Sequence, residues 1–213
     1  KGAFSSPDEV LEREIMNHLF PDTTYGCESG GDPKNIPDLT YENFLNFHRT
    51  YYHPSNSYIY LYGNMDMEEK LAFLDEHYLS HFDYLDVDSV IQEQKAFGAC
   101  RDVTLEYPVA ENEGEEDNTY LSYNMVVGNA ADSQMAMAFE VLDYALLSAP
   151  GAPLKQALLD VKAGKDVYGS YDDGILQPYF TVIAKGSNPD RKEEFVSVIR
   201  QVLGDIVKNG IDR

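Results

Sequence analysis

Two short strand-like segments, each ending at a glycine and followed by a helical pattern, constrain the fold of this chain most strongly. Residues 57–62 read SYIYLY, a run of β-forming side chains that ends at Gly63. Residues 179–185 form a second such run, which ends at Gly186. Short strands that alternate with amphipathic helices predict an α+β fold. The two junctions are compatible with a duplicated unit and equally with two independent ones, because any strand-to-helix junction favours a glycine.

Capping residues and proline breaks place the other elements. Pro7 begins a helix that Pro21 ends, Thr40 caps a second helix, and Asp66 begins a third with a pattern that resembles a capping box. The acidic stretch at residues 110–118 reads as a solvated hairpin loop between two strands. Apolar patterns predict these further elements: strands at 102–109 and 120–128, helices at 133–147, 154–161 and 188–207, and turns at 169–171 and 172–174.

Residues 83–100 read as a connector between two domains, because apolar periodicity weakens there. Asp83, Asp86 and Asp88 crowd together in this stretch. Three neighbouring carboxylates suggest a calcium site, but the segment lacks the glycine and the final glutamate of an EF-hand loop. We therefore expect a solvated linker at this point.

The charge balance excludes several classes of partner. The chain has 16 Lys and Arg against 37 Asp and Glu, for a formal charge of −21. A surface this acidic repels phosphate backbones and anionic membranes, so we expect no nucleic acid and no membrane as partner. Cys27 and Cys100 match neither a disulfide framework nor a metal pair, which favours a reduced, intracellular setting. The chain starts without an apolar signal segment and ends on a helical pattern, so we expect a piece of a longer chain.

Residue types and spacings reveal no complete catalytic constellation. His77 and His81 are four positions apart, a spacing that lets two rings approach one metal, but no acid lies between them where a zincin or an inverted zincin needs it. Ser29, Gly30 and Gly31 form a glycine-rich loop that could cradle an anion, although it lacks the lysine of a P-loop. Exposed side chains at a helix end explain the histidine pair equally well. An ordinary turn-rich loop explains the glycine pattern equally well.

Five local motifs together resemble one family. They are FPDTTYG at residues 20–26, SGGDP at 29–33, IPDLT at 36–40, FHRTYYHPSN at 47–56 and LSAPGAPL at 147–154. In this order they resemble the presequence-protease subgroup of the insulinase-like (pitrilysin-type) zinc metallopeptidases, over nearly the whole chain.

The resemblance implies LuxS/mitochondrial-processing-peptidase-like half-domains, with mostly antiparallel sheets and helices packed on one face. Members of the family are single chains of four homologous α/β domains that close around an unfolded peptide. They hold zinc with a His-x-x-Glu-His helix and a distal Glu, which would lie upstream of Lys1. The resemblance therefore assigns no catalytic or metal-binding residue here and places the zinc outside this segment. Residues 1–82 would complete the first, catalytic domain, and residues 83–100 would connect it to the second domain, which begins with residues 101–213. The helix of that second domain around residues 139–144 has no histidine.

We therefore expect a non-catalytic segment of a bacterial, cytoplasmic zinc-dependent metalloendopeptidase that degrades unstructured oligopeptides in a closed chamber. The segment alone is expected to be inactive, and its partners are an unfolded peptide and the remaining domains of the same chain. The expected substrate-binding residues are Ser29, Gly30 and Gly31 in the loop, and Gly169, Ser170 and Tyr171 in the turn. The alternative is a degenerate, non-catalytic member of the same fold that acts as a peptide-binding or assembly module. A free-standing calcium-binding or hydrolase domain would instead need a buried acidic cluster.

Overall fold

The computed structural model describes residues 6–110 and 114–211 of the chain. Their contacts form two compact units: Lys1–Cys27 with Glu93–Arg213, termed here the sheet unit, and Glu28–Gln92, termed the two-helix unit. The helices are α1 (Pro7–Leu19), α2 (Tyr41–Tyr51), α3 (Met67–His77), α4 (Ser133–Asp143), α5 (Pro153–Asp160) and α6 (Lys192–Asn209), and the strands are β1 (Thr119–Val126), β2 (Asp166–Asp172) and β3 (Tyr179–Ser187). Within the described residues, no helix has both the length and the apolar character that a membrane span requires.

The three strands form one antiparallel sheet with β3 in the centre, in the order β1-β3-β2. Side chains alternate between the two faces of a sheet, so Phe180 and Val182 of β3 face the main core with their neighbours. The buried residues of that core lie on the sheet, on α5 and α6 and in the turn after α4: Leu121, Leu146, Leu147, Leu154, Leu158, Val167, Phe180, Val182, Phe195 and Ile199. Phe139 and Leu142 of α4 are partly buried and pack against them. The predicted α+β fold with an antiparallel sheet is confirmed.

The helix α1 packs on the opposite face of the same sheet. Tyr179 and Ile183 of β3 form a second apolar cluster with Ile15 of α1 and Phe20, the residue that follows it. Phe20 is fully buried, and its ring meets those of Tyr25 and Tyr179 edge-on at centroid distances of 5.9 and 6.2 Å. The sheet therefore carries α1 as a further layer beyond the helices expected on one face.

Local side-chain caps begin both helices of the two-helix unit. The hydroxyl of Thr40 accepts a hydrogen bond from Asn43 N–H at 3.1 Å, at the start of α2. Asp66 Oδ1 accepts one from Glu69 N–H at 3.1 Å, at the start of α3. Each cap satisfies a backbone donor that the first helical turn leaves free. Both helices were predicted from these residues and are confirmed.

The strand predicted at residues 57–62 is not formed in the described structure. The segment has no assigned secondary structure and no ladder partner among the described residues, and Tyr58 is 106% exposed. A β-strand exists only through hydrogen bonds to a neighbouring strand, and β-propensity alone supplies no neighbour.

The strand predicted at residues 102–109, and its hairpin with β1, are also absent from the described part of the chain. Tyr107 nevertheless lies close to the start of β1, because its ring is 5.9 Å from that of Tyr120 and its hydroxyl donates to Asn118 O. Pro108 has no amide proton to donate to a ladder. The long acidic loop that follows raises the entropic cost of bringing this segment into register with β1. A few side-chain contacts are therefore formed in place of backbone pairing between the two segments.

The remaining predicted helices and strands are present with shifted ends. The helix predicted at 133–147 is α-helical only to Asp143 and continues as a π-helical turn, Tyr144–Ser148. Predicted strands at 120–128 and 179–185 correspond to β1 and β3. The predicted connector at 83–100 concerns the domains of a longer parent and stays a prediction.

We expect the ion pair between Asp8 and Lys185 to make the stability of the sheet unit depend on pH. Lys185 Nζ lies 2.8 Å from Asp8 Oδ2 and joins the first turn of α1 to β3. This hydrogen bond holds the pKa of Asp8 below its ordinary value of 3.8. Because the folded-state pKa is the lower one, the contribution is fully present above about pH 4 and is lost as the pH falls through the folded-state pKa.

The variant Asp8→Asn is therefore expected to lower the free energy of unfolding by about 0.2–1 kcal/mol at pH 7, the range for half-exposed ion pairs. The difference from wild type should shrink as the pH falls below the ordinary pKa of 3.8, because protonation then removes the same charge. Urea unfolding at several pH values measures both. Glu9→Gln is the matched control, since Glu9 lies in the same helical turn without an ion pair among the described residues. A difference that stays constant with pH would contradict the assignment.

Candidate functional site

Gly169, Ser170 and Tyr171 lie within the edge strand β2 and do not form a turn. The turn follows the strand, where Gly174 N–H donates to Asp172 Oδ1 at 3.0 Å. The turn predicted at 169–171 is wrong, because the glycine does not interrupt the strand. Its missing side chain instead leaves room for a neighbouring segment to pack closely on β2.

The close neighbour of Gly169 is the π-helical turn after α4. A Cβ at this position would lie 2.2 Å from the carbonyl oxygen of Thr181 and 2.5 Å from Leu147 Cδ1. Leu147 is buried in the π-helical turn, and Thr181 is in the central strand. The missing side chain therefore allows a helix terminus to pack directly on the backbone of the edge strand.

The outer edge of β2 carries backbone groups that face away from β3. Ser170 N–H donates to a hydroxyl oxygen of β3 at 3.3 Å, so Ser170 points inward. Because hydrogen-bonding directions alternate along a strand, Gly169 and Tyr171 point their N–H and C=O groups outward. Val167 is the preceding outward residue, and its N–H donates to Asp166 Oδ1 at 2.8 Å. An edge with outward donors and acceptors can pair with an extended peptide.

The side chains of this segment divide between packing and solvent. Tyr171 stacks on Phe139 at a centroid distance of 5.4 Å, and its pKa is raised, first because burial disfavours the phenolate and then because Asp173 adds negative charge. Ser170 is exposed, with Oγ 3.2 Å from Thr181 Oγ1. Of the three predicted residues, Ser170 has the side chain that is free to meet a ligand.

The predicted loop at residues 29–31 is a surface turn in the two-helix unit. Gly31 adopts φ +82°, and its N–H donates to Glu28 O at 3.0 Å. Gly30 N–H donates to Glu28 Oε1 at 3.3 Å. A carboxylate of the chain itself thus occupies the donor that an anion would use, and Ser29 is exposed beside it. A substrate-binding role for this loop stays a prediction.

His77 and His81 do not lie on one helix. His77 ends α3, with its ring centroid 4.5 Å from that of Phe73, whereas His81 belongs to the following 3-10 turn. Both are exposed. No group of three or more His, Cys, Asp or Glu side chains within residues 6–110 and 114–211 is arranged to hold a metal ion. These residues therefore do not fit a zinc ion.

A cavity of about 400 Å³ beside β1 was not predicted from the sequence. It lies between residues 124–126 of β1 and the segment 94–100. Gln94 is buried and fixes this segment: its Oε1 accepts from Asp22 N–H at 2.9 Å, and its own N–H donates to Gln177 Oε1 at 2.5 Å. A single glutamine in an irregular segment has no sequence pattern, so only the folded chain identifies it.

Asn124 places an amide at the edge of this cavity. Its Nδ2 donates to Ser122 Oγ at 2.9 Å, and its Oδ1 is buried without a hydrogen-bond partner in the part of the chain that the structure describes. Beside the cavity the structure therefore leaves one buried acceptor unsatisfied within the described residues.

Comparisons with known proteins identify relatives along the whole chain. Residues 38–213 match the family model described as "Peptidase M16 inactive domain". The chain is 48% identical over 213 residues to "Protein HypA" of Clostridium perfringens, a match that covers 100% of this chain and 22% of that protein. It is 35% identical over 216 residues to "Presequence protease 1, chloroplastic/mitochondrial" of Arabidopsis thaliana, covering 100% of this chain and 20% of that protein. The chain thus spans about a fifth of the length of the curated relatives that it matches.

Among solved structures, an M16-like peptidase from Alicyclobacillus acidocaldarius shares the fold. It superposes with a TM-score of 0.56 at 18% identity, covering 99% of this chain and 49% of that one. At this identity the likeness speaks for the fold alone.

Proposed function

The chain belongs to the M16 peptidase family, as a non-catalytic segment, and from that premise we propose that its parent is a zinc-dependent metalloendopeptidase that degrades unstructured oligopeptides in a closed chamber. The zinc is bound outside this segment, which alone is inactive. The segment contributes a wall of the chamber and contacts to the peptide, next to the remaining domains of the same chain. The parent works in the cytoplasm.

The observation that carries this proposal is the match of residues 38–213 to the inactive domain of the family. Two features of the molecule support it. The described residues contain no group that could hold a metal, and α4 is a helix without histidine. The relatives named presequence proteases support a peptide as the substrate class.

The proposed peptide contacts are the outer edge of β2 at Gly169, Ser170 and Tyr171, and the loop at Ser29, Gly30 and Gly31. The edge of β2 supplies backbone donors and acceptors, which bind an extended peptide of any sequence. A formal charge of −21 focuses a negative field that favours basic peptides. Both properties suit a wall that holds varied, unfolded substrates.

Metal content and peptidase activity of the full-length parent, beside the 213-residue chain, test the proposal. The substrate is a quenched, unstructured peptide, and each protein is assayed with and without a chelator. We expect about one zinc per parent and loss of activity with chelator, and neither zinc nor activity in the 213-residue chain. Cell fractionation with an antibody to the parent tests the cytoplasmic location separately.

Two other outcomes would overturn the proposal. A parent without zinc and without activity favours the alternative of a peptide-binding or assembly module. Zinc bound stoichiometrically to the 213-residue chain would return His77 and His81 to consideration as ligands.

We expect Ser170→Arg in the parent to raise KM for a basic peptide by up to about tenfold, which corresponds to about 1.4 kcal/mol, with kcat unchanged. The new cation lies beside the proposed peptide edge and opposes the negative field. Steady-state kinetics with a basic and a neutral peptide measure the effect. Ser197→Arg is the matched control, because Ser197 is exposed on α6 and receives the same charge away from the edge. Equal effects of the two variants would exclude a specific role for β2.

A further inference from the structure

The outward face of α4 is apolar and is left uncovered by the described residues. Met137, Val141 and Tyr144 follow the spacing of one helix face, and they are 67%, 63% and 61% exposed. The opposite face of the helix packs against the main core through Phe139 and Leu142. A surface helix normally turns a polar face to water. The three side chains, termed here the outer strip, therefore mark a surface that binds a partner.

The outer strip is too small for a stable interface between two folded surfaces. Ser133 and Ser148 lie beyond its two ends, and Glu140 borders one side. At about 1.5 Å per residue, the strip extends about 10 Å along the helix axis from Met137 to Tyr144. Each partner in a stable complex of folded proteins buries about 800 Å², from roughly 20–30 residues. Three side chains supply a small part of that area, which fits a narrow partner better than a folded domain or a second copy.

The spacing within the outer strip matches an extended peptide. Met137 and Val141 are four residues apart in α4, which separates them by about 6 Å along the helix axis. Alternate side chains of an extended chain lie about 6.6 Å apart on one face. Two alternate apolar side chains of a peptide can therefore contact Met137 and Val141 together. Because methionine is flexible and its sulfur is polarisable, Met137 adapts to apolar side chains of different shape.

The charges near the outer strip further define the partner. Residues 119–154 contain no lysine, arginine or histidine, and their acidic residues are Asp132, Glu140 and Asp143. Glu140 is exposed beside the strip. Like charges on two copies of this surface repel each other, whereas a peptide with basic residues is attracted to it. Charge and size therefore favour the same partner, a peptide that carries both apolar and basic side chains.

The helix α4 lies beside the strand that is proposed to hold the peptide. Phe139, on the inner face of α4, stacks on Tyr171 of β2 at a centroid distance of 5.4 Å. A helix is about 10 Å in diameter, and three to four residues of extended chain, at about 3.3 Å each, span that width. One peptide can thus pair with the outer edge of β2 and continue to the outer strip.

We propose that the outer strip, formed by Met137, Val141 and Tyr144, binds apolar side chains of a peptide that also carries basic residues. The strip adds a preference for side chains to the backbone contacts at β2, which bind an extended peptide of any sequence. The inference rests on the proposed function, because it requires a parent that receives peptides at this surface.

Peptide binding to the full-length parent, measured in the presence of a chelator to prevent cleavage, tests the inference. Fluorescence anisotropy gives Kd for two labelled, unstructured, basic peptides, one with leucine at alternate positions and one with serine in place of each leucine. We expect Val141→Ser to raise Kd for the leucine peptide about fivefold and to leave Kd for the serine peptide unchanged. Val207→Ser is the matched control, because Val207 is 86% exposed on a different helix, α6. It should change neither Kd.

Three results would overturn the inference. The first is the same Kd for the leucine peptide in the two variants. The second is a parent that Val141→Ser destabilises with no change in Kd, which would mean that another domain of the parent covers the strip. The third is self-association of the parent that Val141→Ser abolishes, which would identify a second copy as the partner.

The binding measurement also distinguishes this inference from the proposed function, because it does not depend on catalysis. A parent without peptidase activity in which Val141→Ser still weakens binding of the leucine peptide would reject the proposed enzyme and support the strip. A parent with zinc-dependent activity and equal Kd values in the two variants would reject the strip alone.

Discussion

Replacing Gly169 by alanine is expected to lower the free energy of unfolding of the sheet unit by about 1–3 kcal/mol or more. The added Cβ would lie 2.2 Å from the carbonyl oxygen of Thr181, a backbone atom of the central strand. It would also lie 2.5 Å from Leu147 Cδ1, which is held in the main core. Neither neighbour can move alone, so β2 must separate from β3 or the π-helical turn must shift. Urea unfolding followed by circular dichroism measures the change.

Gly204→Ala is the matched control for this prediction. Gly204 lies in α6, and a Cβ built there meets no atom within 4 Å. Alanine in a helix interior is more favourable than glycine by about 0.8–1 kcal/mol, so this variant should be as stable as wild type or more stable. The same substitution thus has opposite signs at the two sites. A Gly169→Ala protein within about 0.5 kcal/mol of wild type would refute the close approach of Leu147 to β2.

Helix starts could be predicted because their causes lie within a few residues. Thr40 and Asp66 cap α2 and α3 through donors three positions ahead, so sequence spacing alone locates both helices. The strands β1 and β3 were also predicted, since they are long β-forming runs that find each other in the fold. The α+β class follows from these local features.

Strand pairing could not be predicted, because it depends on residues far away in the chain or outside it. Residues 57–62 and 102–109 have the composition of strands, yet neither has a partner in the described structure. The glycine at position 169 was misread for a related reason. Its role is set by Leu147, twenty-two positions away, and no local pattern records that contact.

The cavity beside β1 illustrates the same limit at the level of a site. Gln94 is held by Asp22 and by Gln177, residues that lie 72 and 83 positions away. A polar residue in an irregular segment is ordinarily exposed, and only these bonds make its burial favourable.

Phe20→Ala is expected to lower the free energy of unfolding of the sheet unit by about 3–5 kcal/mol, a large part of the stability of a domain of this size. Phe20 is fully buried between α1 and the sheet, and it makes edge-on ring contacts with Tyr25 and Tyr179. Truncation removes these contacts and leaves a cavity that the antiparallel sheet is too rigid to fill. Because α1 is joined to the sheet mainly through this second cluster, the variant should release α1 first, at a denaturant concentration below that of global unfolding.

Phe44→Ala is the control for Phe20→Ala, since it makes the same change in side chain at a position of α2 that is 66% exposed. In the 213-residue chain it should change the free energy of unfolding by no more than about 0.5 kcal/mol. A difference of several kcal/mol between two identical substitutions can arise only from burial, so it tests directly whether α1 belongs to the sheet unit. Equal effects of the two variants would mean that the second face of the sheet is open and that α1 is not a layer of this fold.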